Sequence, residues 1–229
     1  GMTLKCDSAY FNEKSNWFKA FSRVHITRPG GVTLDCQRLH YDGFAQMVHA
    51  RGKVVAREPG RSLRCDSLDY NTSSKVANYF GGRGTLVYNG NTVVADQGDY
   101  NTETHDANFF GDVVMFTPKY RITTPEAHGN TETGLVHVVG KSVIKTAKGE
   151  VVHTNDGTYN SKTDQMELNG RSTITSPKQD VEGDNIVYNS STGEAEGHGN
   201  VKIVDKANNR TIIGQDVFYN EKTGHSNAR

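Results

Sequence analysis

The sequence predicts an all-β fold, a folded sheet or jelly-roll that grows along one axis by about two strands per repeat. Three observations carry this. The first is a marker pair, an aromatic followed by Asn or Asp, that recurs every 29 to 31 residues: Phe11-Asn12, Tyr41-Asp42, Tyr70-Asn71, Tyr100-Asn101, Tyr159-Asn160, Tyr188-Asn189 and Tyr219-Asn220, with Gly129-Asn130 filling the one gap. The second is apolar alternation of period two around every marker, the period of strands rather than helices. The third is turn chemistry at a fixed offset after the marker. Eight copies of one unit account for nearly every residue. Units of this length bury their apolar faces only by stacking, so function should reside in the continuous surface that stacking creates rather than in one privileged cluster.

Within one repeat, the positions can be justified in order. Seven residues before the marker stand Leu4, Leu34, Leu63, Val93, Ile122, Val152, Val181 and Ile212, aliphatic in all eight copies, which makes this row the core of the unit. Two residues later comes a small position, held by Cys6, Cys36, Cys65, Ala95, Thr124, Thr154, Gly183 and Gly214. Alternation predicts it buried, and its three cysteines reduced and structural. A polar step follows, with Asp7, Asp66, Asp96, Asn155 and Asp184, after which Leu39, Leu68, Ile186 and Val217 pair with the marker two residues on. The inward set has thereby moved by one residue. Side chains alternate with period two along a strand, so this change of parity requires a bulge or corner at the polar step.

After the marker comes a turn. The Asn or Asp is followed three residues later by Ser15, Ser74, Thr104, Thr133, Thr163, Thr192 or Thr223, and then often by glycine, as at Gly134, Gly193 and Gly224. Asn can bond its own backbone to start a turn, and glycine accepts the positive φ that closes a short hairpin loop. The next strand alternates again, as in Ala107, Phe109, Gly111, Val113 and Met115, or Val136, Val138, Gly140, Ser142 and Ile144. Eleven residues after the marker, Gly52, Gly81, Gly111, Gly140, Gly170 and Gly199 recur, with Ser22 in the first copy, and predict a second corner.

The composition fits one repeat domain spanning residues 1–229, its last repeat incomplete, with no break at which to divide it. The 26 basic and 26 acidic residues balance and are interspersed, which argues against a nucleic-acid partner. No apolar run approaches the roughly 18 residues of a membrane-spanning helix. The Asp and Asn rows could be calcium ladders, but the paired-glycine nonapeptide of calcium-binding repeats is missing and corner hydrogen bonding is the simpler reading. The nine histidines occupy scattered register positions with no spacing for a metal site. A polysaccharide-cleaving solenoid would need two carboxylates, or a carboxylate and a base, where the pattern breaks. The most deviant repeat, the fifth, offers Pro125, Glu126 and Gly129 without a nucleophile or base beside them. The expectation is a protein with no catalytic residues, no metal and no cofactor.

The repeated hydrophobic-x-small-Asp-x-x-x-Tyr-Asn, the Asn-x-x-Thr-Gly turn and the Ala-x-Phe-x-Gly-x-Val stretch, as in Val93 to Asn101 and Ala107 to Val113, resemble OstA-like repeats. That family includes the lipopolysaccharide-transport proteins LptA and LptC and the periplasmic part of LptD. The resemblance covers essentially the whole chain, and its motifs form repeats rather than active sites. It implies an elongated, open, twisted β-jelly-roll in the periplasm of a diderm bacterium, whose apolar interior shields the acyl chains of lipopolysaccharide on the way to the outer membrane. It also implies edge-to-edge pairing with other OstA-like transport proteins, and end-to-end self-association by the same edges. The residues expected to line the lipid path are Leu34, Leu63, Val93, Ile122, Val152 and Val181, with Phe109, Val138 and Leu168 on the following strands. The alternative is a structural or adhesive β-repeat spacer of the cell envelope, since a packed core and a lipid trough use the same residues. Inward small residues such as Ala20, Ala50, Ala77, Ala107 and Ala195 favour the trough by leaving room.

Overall fold

The computed structural model describes all residues, 1–229, and is built of strands and turns alone. It divides into two compact units, Gly1–Asp112 and Val113–Arg229. The first contains β1 (Thr3–Lys5), β2 (Ser8–Asn12), β3 (Trp17–Arg28), β4 (Val32–Asp42), β5 (Met47–Glu58), β6 (Arg61–Asn71), β7 (Val76–Phe80), β8 (Gly84–Tyr88), β9 (Asn91–Ala95) and β10 (Gln97–Asn101). Strand β11 (Asp106–Phe116) begins in the first unit and ends in the second. The second unit continues with β12 (Tyr120–Asn130), β13 (Leu135–Thr146), β14 (Val151–Asn160), β15 (Gln165–Thr175), β16 (Gln179–Asn189), β17 (Glu194–Asp205), β18 (Arg210–Asn220) and β19 (Ser226–Ala228). Within each unit the chain is an antiparallel meander, as in β3–β4–β5–β6 and β13–β14–β15–β16. The pairs β1 with β2, β7 with β8, and β9 with β10 are limbs of single strands interrupted at a corner. The nineteen strands therefore correspond to the roughly sixteen that two per repeat requires.

Both predicted corners are present, and they face each other. Pairing of β13 with β14 slips between Val139 and Ser142, and pairing of β14 with β15 slips between His153 and Asp156. The glycine corner adopts positive φ at Gly52, Gly111, Gly140, Gly170 and Gly199, between 74° and 85°, and Ser22 does the same at 59°. Side chains of the polar step occupy the space beside it: a Cβ placed on Gly111 would stand 2.6 Å from Asp96 Oδ2, and one on Gly199 would stand 2.8 Å from Asp184 Oδ2. The recurring Asp and the recurring Gly are thus two sides of one bend. Around them the Asp row finds cationic and amide partners, Arg23 with Asp7 at 2.6 Å and Asn200 Nδ2 donating to Asp184 at 2.7 Å.

The marker turn follows the expected chemistry in all eight repeats. The side-chain Oδ1 of Asn12, Asp42, Asn71, Asn101, Asn130, Asn160, Asn189 and Asn220 accepts the N–H three residues on, at 2.9 to 3.3 Å. The residue after that has positive φ in every copy. Glycine fills it three times, whereas Asn16, Gln46, Lys75, His105 and Asp164 fill it in the others.

Candidate functional site

Each bent strand contributes two inward limbs. In the second unit the first-limb row runs across the sheet as Ile122, Ile144, Val152, Ile174, Val181 and Ile203, each directly opposite the next. The second-limb row runs through Val138, Gly157, Leu168 and Ile186. Of the residues expected to line a lipid path, Ile122 and Val152 are 0 % exposed and Val181 is 2 %. Val138 and Leu168 are equally sealed. Inward glycines do not leave room here: the space a Cβ would take on Gly197 is already held by Val201 Cγ1 at 2.8 Å. Ala20, Ala50, Ala107 and Ala195 are likewise at most 1 % exposed, so small residues at these places mark tight packing rather than free volume, whereas Ala77 is part-exposed.

The first unit differs. Its row runs Leu4, Ile26, Leu34, Ala56, Leu63, Leu86 and Val93. Leu34, Ala56 and Leu63 are part-exposed, and Leu34 and Leu63 flank Ala56 on either side. On the opposing limb Phe18, Tyr41, Val48 and Tyr70 are also only half-buried, while Phe11 and the turn residue Phe44 are 74 % and 75 % exposed. The opening closes towards the fourth repeat. There Tyr79 lays its ring over Gly84 and Gly98, beside Phe109, and Val93 is sealed. Hence Leu34 and Leu63 lie on an apolar surface open to solvent, whereas Val93 and Phe109 lie in a packed core.

The difference originates at the mouth, where the limb ends meet. Nine residues before the marker the first two repeats carry Met2 and Val32, and later ones carry Arg61, Asn91, Tyr120, Glu150, Gln179 and Arg210. In the second unit these polar groups close the mouth. The Tyr120 hydroxyl lies 2.8 Å from Ser190 Oγ, and the Tyr188 hydroxyl donates to Glu150. The turns between strands add lysines. Lys119 Nζ donates to both oxygens of Asp164 at 2.8 and 2.7 Å, Lys148 Nζ donates to the Ser190 carbonyl, and Lys178 Nζ stands 3.4 Å from Glu221. In the first unit the corresponding turns are Pro29-Gly30-Gly31, Pro59-Gly60 and Asn89-Gly90, without lysine. Arg61 supplies a related bridge there, to the Tyr100 hydroxyl and to His105 Nδ1.

Electrostatics at the closed mouth follow from these contacts. Burial pushes the Asp164 carboxyl up, but the bonds from Lys119 and Ser191 outweigh it and hold the group below its ordinary value. The Tyr188 phenol is raised, first by burial and then by Glu150. Lys119 is more than half exposed, so solvent screening leaves its ion pair weak. Against that, Glu150 Oε2, Gln179 Oε1 and Arg210 Nε are buried without a hydrogen-bond partner, and each such atom costs about 1–3 kcal/mol. The closed mouth is therefore held weakly. At the closed mouth Asp164 is engaged by Lys119 and Ser191 and one oxygen of Glu150 by Tyr188, and no three His, Cys, Asp or Glu side chains converge as for a metal. Sequence reasoning missed Lys119, Tyr120, Glu150 and Asp164. The available signal was Asp164 itself, standing where three other repeats have Gly134, Gly193 and Gly224.

No curated protein matches the chain. Among solved structures it is similar to the crystal structure of LptH, described as the LptA-homologous periplasmic component of the conserved lipopolysaccharide transport device from Pseudomonas aeruginosa. That similarity has 16 % identity and a TM-score of 0.45, and covers 48 % of this chain and 82 % of that one. The family described as OstA-like protein matches residues 1–125, more than half of the chain and including the open rows around Leu34 and Leu63. With its marker, turn and corner chemistry repeated through both units, the chain belongs to the OstA-like protein family.

Proposed function

We propose that this protein is a non-catalytic periplasmic bridge component that shields the acyl chains of lipopolysaccharide, or of its lipid A portion, on the way to the outer membrane. One observation carries the reading: the inward row of the first unit is apolar yet open to solvent at Leu34, Ala56 and Leu63. An ordinary core would cover these leucines, since each contributes about 1.5–3 kcal/mol when buried. An acyl chain of about a dozen methylenes gains on the order of 10 kcal/mol on leaving water, and a trough of this kind supplies that environment while sugars stay in solvent. Membership of the OstA-like family supports the same reading. In it, the eight repeats of residues 1–229 serve as one array, and strand edges pair with other OstA-like transport proteins or with further copies of the chain.

The test is a photo-crosslinking amino acid at Leu34, compared with one at the turn residue Thr102, in protein exposed to labelled lipid A. Capture at Leu34 and not at Thr102 is expected. Equal capture at both, or none at either, removes the support for an interior path. The second reading, a structural spacer, is favoured by the dry core of the second unit around Ile122, Val152 and Val181. It predicts no lipid capture anywhere on the chain.

A further inference from the structure

The second unit combines three features that an inert core does not need. Its mouth is bridged from one rim to the other by three lysines, Lys119, Lys148 and Lys178, spaced 29 and 30 residues apart, one from each successive turn. Two residues after Lys148 and one after Lys178 stand Glu150 and Gln179, whose Oε2 and Oε1 are buried and unpartnered, so that closing the mouth leaves polar atoms dry which water would satisfy if it opened. And the limbs on either side of the mouth join at corners where, on alternate strands, Gly140, Gly170 and Gly199 take positive φ, so on those strands the angle between limbs is set at a point without a side chain. Beneath the polar layer the interior is purely aliphatic along Ile122, Ile144, Val152 and Ile174.

From this geometry we infer that the second unit is a second acyl-chain compartment, held shut by a lysine latch and opened along its mouth when the Lys119–Asp164 bridge and its repeats release. This rests on the reading of the first unit as a binding trough for the acyl chains of an amphiphile. The latch is a zip rather than a lock. Each bridge is solvent-accessible on the lysine side and weak alone, and neighbouring turns are coupled through backbone bonds, Ala147 N–H to the Lys119 carbonyl at 2.8 Å and Ser190 N–H to the Asp164 carbonyl at 3.1 Å, so that opening at one repeat loosens the next. Asp164 holds a special place. It occupies a positive-φ position, at 57°, that glycine fills in three repeats and Asn16, Gln46, Lys75 and His105 in four, and among the repeats of the second unit it is the one copy that carries a side chain there.

That last point supplies a variant that keeps the fold. Asp164→Gly restores the residue used at Gly134, Gly193 and Gly224 and deletes the carboxylate that Lys119 and Ser191 grip. The experiment uses the full chain and lipid A carrying a diazirine in one acyl chain, with labelled peptides assigned to either unit by mass spectrometry and amide exchange of Tyr120–Thr124 followed in parallel. In Asp164→Gly, labelling of the second unit and exchange of that segment should both rise severalfold while labelling of the first unit is unchanged. In the converse variant, Lys119→Cys with Asp164→Cys in a background carrying Cys6→Ala, Cys36→Ala and Cys65→Ala, a short bis-maleimide bridge should abolish labelling of the second unit only. A second unit labelled equally in the open, native and bridged forms overturns the latch. So does one never labelled even in Asp164→Gly while the first unit is labelled, and the binding reading of the first unit then stands. Absence of label from both units in every form defeats that reading and the latch together.

Discussion

Truncating the same repeat position in the two units should give unequal costs, because the structure seals it in one and opens it in the other. Ile122 is 0 % exposed and lies opposite Ile144, which is also buried, whereas Leu34 is part-exposed between Ile26 and the part-exposed Ala56. Ile→Ala and Leu→Ala both remove three carbons, worth about 2.4 kcal/mol at about 0.8 kcal/mol per methylene. At Ile122 a cavity penalty adds to this, since the sealed neighbours relax only partly, for a total of about 3–5 kcal/mol. At Leu34 water can enter the vacated space and part of the surface was never buried, so about 1 kcal/mol is expected. Native-state hydrogen exchange reads each region separately: β12–β14 for Ile122→Ala, and β3–β5, with Trp17 fluorescence as a second probe, for Leu34→Ala. Equal loss of protection at the two sites would refute the distinction between a closed and an open interior.

Three further outcomes follow from local contacts. Burial pushes the Cys36 thiol up to about 11 and Cys65 up to about 12, from an ordinary 9.0, so native protein at pH 8 should alkylate at the less buried Cys6 alone and at all three cysteines once unfolded. Rapid labelling of all three in native protein would contradict this. Gly199→Ala places a Cβ 2.8 Å from Asp184 Oδ2 at a φ of 74°, and should destabilise by about 1–3 kcal/mol in urea unfolding, against little change for Gly224→Asn at the turn. Because Asp164 is held below its unfolded value of 3.8, its contribution is complete above that pH and is lost as pH falls through the lower folded value. Acid unfolding of the second unit should thus be less steep between pH 4 and 2 in Asp164→Gly than in the parent, and identical profiles would remove Asp164 from the account.

The backbone was legible because its determinants are local. Asn130 and Thr133 make a turn by contacts within four residues, and Gly140 bends its strand whatever lies beyond it. The aliphatic row was legible because a period of two and a repeat of about thirty over-determine which residues face inward. Whether that row is sealed was not legible. Sealing depends on Lys119 reaching Asp164, 45 residues away, and on Tyr188 reaching Glu150, 38 residues away. Neither pairing has a local sequence signature. The inward alanines misled for a related reason: a small side chain leaves space only when its neighbours do not lean in, and Val201 leans over Gly197.

One register position joins the local turn chemistry to the distant contacts across the mouth. The fourth residue after each marker Asn or Asp must adopt positive φ, a conformation glycine takes freely and other residues take at a cost. Where it is Gly134, Gly193 or Gly224, the position serves the backbone alone. Where it is His105 or Asp164, the side chain reaches across the mouth, His105 to Arg61 and Asp164 to Lys119, over nearly the same separation of 44 and 45 residues. Counted back by the same 44 residues, Gln46 falls at Met2 and Lys75 at Gly31 in the Pro29-Gly30-Gly31 turn, which offer no charge to hold. The same backbone position can therefore leave an interior open or clasp it shut according to its side chain. A repeat protein that handles an apolar ligand can in this way vary access along its length without altering the sheet that carries it.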